Sequence, residues 1–211
     1  FPIGTTTVTY TATDAAGLTT TGSFTVTVTD TQAPAITTPV NVAVSNDTGE
    51  CGALVNITAP MVTDNCGVQG SVVGTRDDNE ELAAPFPLGV TTITWRASDI
   101  YGNQADIKTQ TVTVNDTQSP VTPTIAAATG ECSVTVTAPT TTDACAGTIT
   151  GTTTDALVYT VQGSYTITWT FNDGNGNSTT ATQSVVVDDV TAPVTPTIAA
   201  ATGECSVTVT A

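Results

Sequence analysis

One pattern occurs three times in this 211-residue chain and limits what it can fold into. An aromatic residue is followed four positions on by Asp, and three positions further by Gly: Tyr10, Asp14, Gly17; Trp95, Asp99, Gly102; Trp169, Asp173, Gly176. Each copy then closes on a second Asp four positions before Pro, at Asp30 and Pro34, Asp116 and Pro120, and Asp189 and Pro193. Self-similarity on this scale implies an array of small units, each with its own core. The expected divisions are 1–34, the C-terminal half of a unit; 35–120 and 121–193, two complete units; and 194–211, the start of a further one. Residues 1–6 match 86–91 inside the second unit, and 194–211 copy 121–138 without a change, so the chain reads as a window on a longer protein.

Within each unit the apolar residues alternate. Val8, Tyr10 and Ala12 interleave with threonines, as do Phe24, Val26 and Val28. Period-two alternation with β-branched filler marks half-buried strands. Strands are expected at 41–45, 53–58, 69–74, 91–98 and 107–115 of the second unit, and near 134–137, 148–153, 165–171 and 182–187 of the third. No stretch carries the three- and four-residue apolar spacing of a helix. Short strands separated by turn signals, in units of this size, predict an all-β chain of tandem immunoglobulin-like sandwiches in an extended array. Tyr10, Trp95 and Trp169 are the expected core aromatics on the penultimate strand of each unit.

Units this small bury a modest share of their surface and benefit from a staple. The five cysteines offer one: Cys51 and Cys66 fall in the second unit, Cys132 and Cys145 in the third, and Cys205 in the last fragment. One bridge per repeat, Cys51–Cys66 and Cys132–Cys145, is the expected pairing, each worth about 3 kcal/mol by loop closure, with the partner of Cys205 outside the chain. No Cys-x-x-Cys and no His is present, which disfavours a zinc site. Tandem disulfides place the protein in an oxidising, extracellular setting.

The charge balance excludes other classes. There are 19 acidic residues against Arg76, Arg96 and Lys108, all in the second unit, so phosphate-backbone binding would be repulsive and a nucleic-acid partner is not expected. Nor does the segment contain a run long and apolar enough to suggest a membrane span. Without His, a Gly-x-Ser-x-Gly elbow or a Gly-rich phosphate loop, it is not expected to be an enzyme.

The acids at repeat positions need another account. The last two strands of a unit are antiparallel neighbours, so the loop holding Asp99 lies at the pole where the chain arrives, facing the linker with Asp30. Asp116 in turn is expected to face Asp173. The last strand separates Asp99 from Asp116 by roughly 30 Å, so ion sites would straddle junctions. Converging carboxylates without Lys or Arg repel unless a cation lies between them, and calcium, which takes six to eight oxygens, fits. The candidate ligands are Asp14, Asp30, Asp99, Asp116, Asp173 and Asp189, with Asp64 and Asp143 as third carboxylates if their loop reaches the same pole. Asn103 and Asn177 either add oxygens or support the turn. The local alternative, that Asp-x-x-Gly is ordinary turn chemistry, stands beside this reading for each Asp.

The run from Gly4 to Asp14, the Thr63-Asp64-Asn65-Cys66 motif and the closing Val-Thr-Asp resemble the hyalin repeat (HYR), an immunoglobulin-like extracellular module. The Asp-x-x-Gly-Asn turns and Asp-x-x-x-Pro linkers resemble tandem domains of giant bacterial adhesins, and the segment 115–120 is similar to the calcium-binding linker of cadherins. The Thr-rich, near-identical repeats most resemble those of very large surface adhesins of gliding Bacteroidetes. The resemblance implies a stalk segment of a secreted cell-surface adhesin, rigidified by calcium between repeats and disulfides within them, serving adhesion and gliding motility, with adjacent repeats as its partners. A surface glycan or protein ligand would then bind elsewhere in the full protein. The rival reading makes the repeats themselves glycan- or protein-binding modules, which a contiguous exposed aromatic patch would favour.

Overall fold

The computed structural model describes residues 1–68 and 72–209. All regular structure in it is β, and among these residues no helix is long and apolar enough to cross a membrane. The first repeat contributes a hairpin, β1 (Gly4–Thr13) and β2 (Thr19–Val28), paired antiparallel from Gly4↔Val28 to Thr13↔Thr19. With no facing layer in the described residues, its aromatic side chains are exposed, while Val8, Val26 and Val28 are half-buried. Tyr10 is 58% exposed and Phe24 53% on this hairpin, unlike the enclosed Trp95 and Trp169.

The second repeat holds β3 (Ala35–Ile36), β4 (Val42–Ser45), β5 (Gly52–Ala53), β6 (Val62–Thr63), β7 (Val73–Arg76), β8 (Phe86–Pro87), β9 (Gly89–Arg96) and β10 (Lys108–Asn115). One sheet has the order β4-β10-β9-β7, with β10 parallel to β4 and antiparallel to β9. The pairs β3-β6 and β5-β8 supply the other layer. The core between them is Ala53, Phe86, Ile93, Trp95, Val112 and Val114. Alternation explains the set: Ile93 and Trp95 on β9, and Val112 and Val114 on β10, are the inward residues, while the intervening threonines face outward. The expected strand at 53–58 shrinks to β5, although Val55 and Ile57 still pack on the core. Part of the expected strand at 69–74 lies outside the described residues.

The third repeat repeats this plan with β11 (Ala128–Gly130), β12 (Val134–Thr135), β13 (Thr140–Asp143), β14 (Gly147–Thr150), β15 (Val158–Tyr159), β16 (Gly163–Asn172) and β17 (Ser178–Val187). Again the last strand, β17, is parallel to β11 and antiparallel to β16, around Ile167, Trp169, Phe171, Val185 and Val187. Both repeats are immunoglobulin-like sandwiches. By contact density the chain divides into two units, Phe1–Gln118 and Ser119–Ala211, the first hairpin grouping with the second repeat.

Each buried Trp has a polar partner that the sequence does not announce. Trp95 Nε1 donates to Gln110 Oε1 at 3.1 Å, and Gln110 Nε2 donates to Val40 O at 2.6 Å. In the third repeat Trp169 Nε1 donates to Gln183 Oε1 at 3.0 Å, and Gln183 Nε2 to Ala126 O at 3.0 Å. A buried indole N–H must be satisfied, and the Gln does so while tying the last strand to the segment preceding the first strand of its sheet. Gly74 permits the close packing, since a Cβ there would sit 2.7 Å from the Trp95 ring. Gln110→Ala leaves the buried Trp95 indole N–H unpaired and releases the Val40 carbonyl, and is expected to destabilise the second repeat by about 2 kcal/mol. Urea unfolding followed by Trp fluorescence in a Trp169→Phe background, where Trp95 alone reports, measures it; an unchanged midpoint would deny the Gln its structural role.

Candidate junction site

The upstream pole of the second repeat forms where the linker from the first repeat arrives. Antiparallel β3 and β6 pair Ala35 with Thr63, which brings Asp30, shortly before β3, toward Asp64, just after β6. Asp64 Oδ1 accepts from the Cys66 backbone N–H at 2.9 Å, a short turn that holds the Cys66 side chain on the same spot. The Asp30 and Asp64 carboxylates and the Cys66 sulfur lie within 4.8 Å of one another. Asp99 comes from the loop after β9. Its neighbour Asn103 donates from Nδ2 to the Asp30 carbonyl at 3.3 Å, so the Asp99 loop and the incoming linker touch. The structure therefore brings together Asp30, Asp64 and Asp99, and it adds Cys66, which the sequence reading assigned elsewhere.

One oxygen of each linker acid is engaged locally and the other is not. Asp30 Oδ1 accepts from Gln32 N–H at 3.0 Å, and Asp64 Oδ1 from Cys66 N–H, yet Asp30 Oδ2 and Asp64 Oδ2 are buried without a hydrogen-bond partner. Leaving such an oxygen bare costs about 1–3 kcal/mol, more if charged. The ion pair found among the described residues, Arg76 with Asp78, lies elsewhere and provides no relief here. Partial desolvation, then the charges of Asp30 and Asp64 and more weakly Asp99, hold the Cys66 thiol above its ordinary pKa.

Asp99 and Asp173 are built alike. Asp99 Oδ1 accepts from the N–H groups of Tyr101 and Asn103, both at 2.9 Å, and Oδ2 from Asn103 Nδ2 at 2.7 Å. Asp173 Oδ1 accepts from Asn175 and Asn177, and Oδ2 from Asn177 Nδ2 at 2.7 Å. Asn103 and Asn177 thus serve their own loop. Gly102 and Gly176 have φ of 94° and 108°, the left-handed turn conformation that Gly adopts without strain. Burial pushes both carboxyls up, but the hydrogen bonds from Asn103 and Asn177 and the loop amides outweigh it and hold each below the ordinary 3.8.

The remaining candidates sit in local turns. Asp14 Oδ1 accepts from Ala16 and Leu18, Asp116 Oδ1 from Gln118 at 3.1 Å, Asp143 Oδ1 from Cys145 and Ala146, and Asp189 Oδ1 from Thr191. Asp116 and Asp143 are nearly buried, each 9% exposed. In sequence Asp116 matches Asp30, Asp143 matches Asp64, and Asp173 matches Asp99.

The expected disulfides do not form. Cys66, Cys132 and Cys205 carry free thiols, whereas Cys51 and Cys145 are each disulfide-bonded, so neither Cys51–Cys66 nor Cys132–Cys145 exists. The reason is the chain path. Cys51 follows a turn at the downstream pole, where Asn46 N–H donates to Asn115 O and Asp47 N–H to Gly52 O, while Cys66 lies beside Asp30 at the upstream pole. Cys132 and Cys145 are separated in the same way: Glu131 contacts Gln162 and Thr191 near the end of β17, and Asp143, two residues before Cys145, ends the strand that holds Val121. Short sequence separation here means traversal of the sandwich.

The HYR domain pattern matches residues 1–28 and 29–115, together more than half of the chain. The chain belongs to the HYR domain family. Among its relatives, a hyalin of Lytechinus variegatus is 35% identical over 213 residues, covering 92% of this HYR chain and 39% of that protein. A hyalin of Strongylocentrotus purpuratus is 34% identical over 126 residues, 57% of this chain and 10% of that protein. The chain thus spans well under two thirds of these relatives. Among solved structures, Drosophila N-cadherin EC1-3 aligns with 82% of the chain and 74% of its own at 13% identity and a TM-score of 0.30.

A carboxyl whose folded pKa is depressed contributes stability above its unfolded value, and the contribution disappears as pH falls through the folded value. Thermal stability of this HYR chain is therefore expected to hold from pH 7 to 5 and to drop below about pH 4. Asn177→Ala, which removes one hydrogen bond to Asp173, is expected to shallow that drop for the third repeat. Melting curves followed by Trp169 fluorescence in a Trp95→Phe background across pH check it; a drop of unchanged steepness would show that other groups carry the acid sensitivity.

Proposed function

We propose that this chain is a repeat segment of a large secreted, cell-surface adhesion protein whose junctions between repeats are stiffened by calcium. The observation that carries the reading is the pair of buried, unpartnered oxygens, Asp30 Oδ2 and Asp64 Oδ2, beside Asp99 with no Lys or Arg paired to any of them. A hard divalent cation satisfies both oxygens at once and offsets their repulsion. The Cys66 thiol, protonated and soft, is a poor calcium ligand, so Asp30 and Asp64, with Asp99 nearby, form the donor set. Asp14, Asp116, Asp143, Asp173 and Asp189 are candidates by their position in the repeat.

In this role the repeats act on one another. An ion at the linker converts a hinge into a stiff joint, so a stalk projects its terminal region away from the cell, and a glycan or protein ligand is bound elsewhere in the full protein. The lack of His and of nucleophile motifs supports a non-enzymatic role. Thr-rich, near-identical repeats support a spacer, as in the surface adhesins of gliding bacteria that the sequence resembles, since duplication lengthens a stalk without altering its ends.

Isothermal calorimetry with calcium on the full chain tests the assignment. Saturable binding is expected, with one site lost in Asp30→Asn/Asp64→Asn, while folding by circular dichroism is retained. Absence of calcium heat in the wild type, or an undiminished site number in the double variant, would refute the site.

A further inference from the structure

We infer that Asn56 is the acceptor of an N-linked glycan, whose sugars cover the apolar hollows on either side of it in the second repeat. Such a modification presupposes the secreted reading above, because its donor is met during export. Four Asn-x-Ser/Thr acceptor sequences occur, at Asn46, Asn56, Asn115 and Asn177. A glycan needs open solvent around the acceptor Nδ2, since it is bulky and hydrated. Asn46 is buried, its Nδ2 donating to Glu50 O at 2.9 Å and its Oδ1 accepting from Thr117 N–H at 3.1 Å. Asn177 is half-buried, with Nδ2 held 2.7 Å from Asp173 Oδ2. Asn115 is exposed, but the next residue is Asp116, just as Asp47 follows Asn46. A carboxylate at that position repels the pyrophosphate of an incoming sugar donor. Asn56-Ile57-Thr58 has a neutral middle residue and an exposed acceptor.

The fold presents this acceptor by alternation. Downstream of β5, Val55 and Ile57 pack on the core, while Leu54, Asn56 and Thr58 are exposed. The amide of Asn56 and the hydroxyl of Thr58 therefore share one outward face, and the two inward side chains hold the segment in place. No hydrogen bond among the described residues uses the Asn56 side chain. Asn56 also stands between two hollows. Leu54, Leu82 and Ala83 line one with it, and Pro39, Val40 and Pro60 the other. Leu54 is 66% exposed and Val40 80%, so this face of the second repeat leaves apolar surface in water. Contiguous exposed apolar surface of this kind requires a cover or invites association. Sugar rings supply one, with their C–H faces against the protein and their hydroxyls in solvent.

Attachment balances as a glycosyl transfer without redox change. The Asn56 Nδ2 forms a bond to the anomeric carbon of a lipid-pyrophosphate-linked oligosaccharide. The bond from that carbon to the pyrophosphate oxygen breaks, the lipid pyrophosphate leaves with the electron pair, and Nδ2 gives up one proton to a base of the transferase.

The full chain, secreted from cultured animal cells behind a cleavable leader, tests the site. An amidase that releases N-linked glycans leaves Asp in place of the modified Asn, and tandem mass spectrometry of the peptides locates the change. It is expected at Asn56 and to be lost in Asn56→Gln and in Thr58→Ala, both of which keep the circular dichroism of the parent chain. Release of the glycan from the folded chain is expected to raise the binding of an apolar fluorescent dye. An unmodified Asn56 in the secreted chain, a glycan on Asn46 or Asn177 of the folded chain, or dye binding that does not change on release would overturn the proposal. Because the leader supplies export, an unmodified Asn56 refutes the site and leaves the secreted reading standing; immunolocalisation of the natural protein tests that reading separately.

Discussion

Like charge held at close range is the constraint on which this molecule's organisation turns. At the first linker two carboxylates meet with one oxygen apiece unpaired and buried, in a chain whose three cations lie in a single repeat. Turn formation alone accounts for the Oδ1 atoms, which accept local amides. It does not account for the Oδ2 atoms, because a turn-forming Asp has no need to turn its second oxygen away from water and toward another carboxylate. On the proposed reading, a cation in place of that water makes the arrangement favourable.

Everything else follows from which pole a residue occupies. β10 and β17 run from the upstream to the downstream end of their repeats, so acids at their two ends serve different neighbours. The Trp–Gln pairs fix those long strands laterally, and the parallel contacts of β10 with β4 and of β17 with β11 bind the outgoing strand to the turn that carries the first cysteine. Stability of the sandwich and geometry of the linker are thereby coupled: the hydrogen bonds from Gln118 and Thr191 extend the order of the last strand into the connection.

The long strands were legible because β9, β10, β16 and β17 alternate cleanly, and the inward positions of Trp95 and Trp169 follow from strand parity with Ile93 and Ile167. The two-residue strands β3, β5, β6, β8, β12 and β15 are too short to show any period, so only the folded chain reveals them. The facing of Asp99 toward the linker of Asp30 was derivable from antiparallel order alone. Cysteine pairing was not: closing the short 51–66 loop looks entropically favourable, but the segment between is spent crossing from one pole to the other. Tyr10 shares the motif of Trp95 and Trp169 yet lies exposed on a hairpin, because burial depends on a facing layer as well as on pattern.

We propose that carboxylates at the linker become a stiff joint when calcium binds. Small-angle X-ray scattering of the full chain, with calcium and then with excess chelator, measures it most directly through the maximum dimension and the flexibility of the profile. A particle that is rigid with calcium and becomes flexible on chelation is the predicted result. Superimposable profiles in the two conditions would contradict it, leaving the aspartates as turn formers and the stiffness of the junction to protein contacts alone.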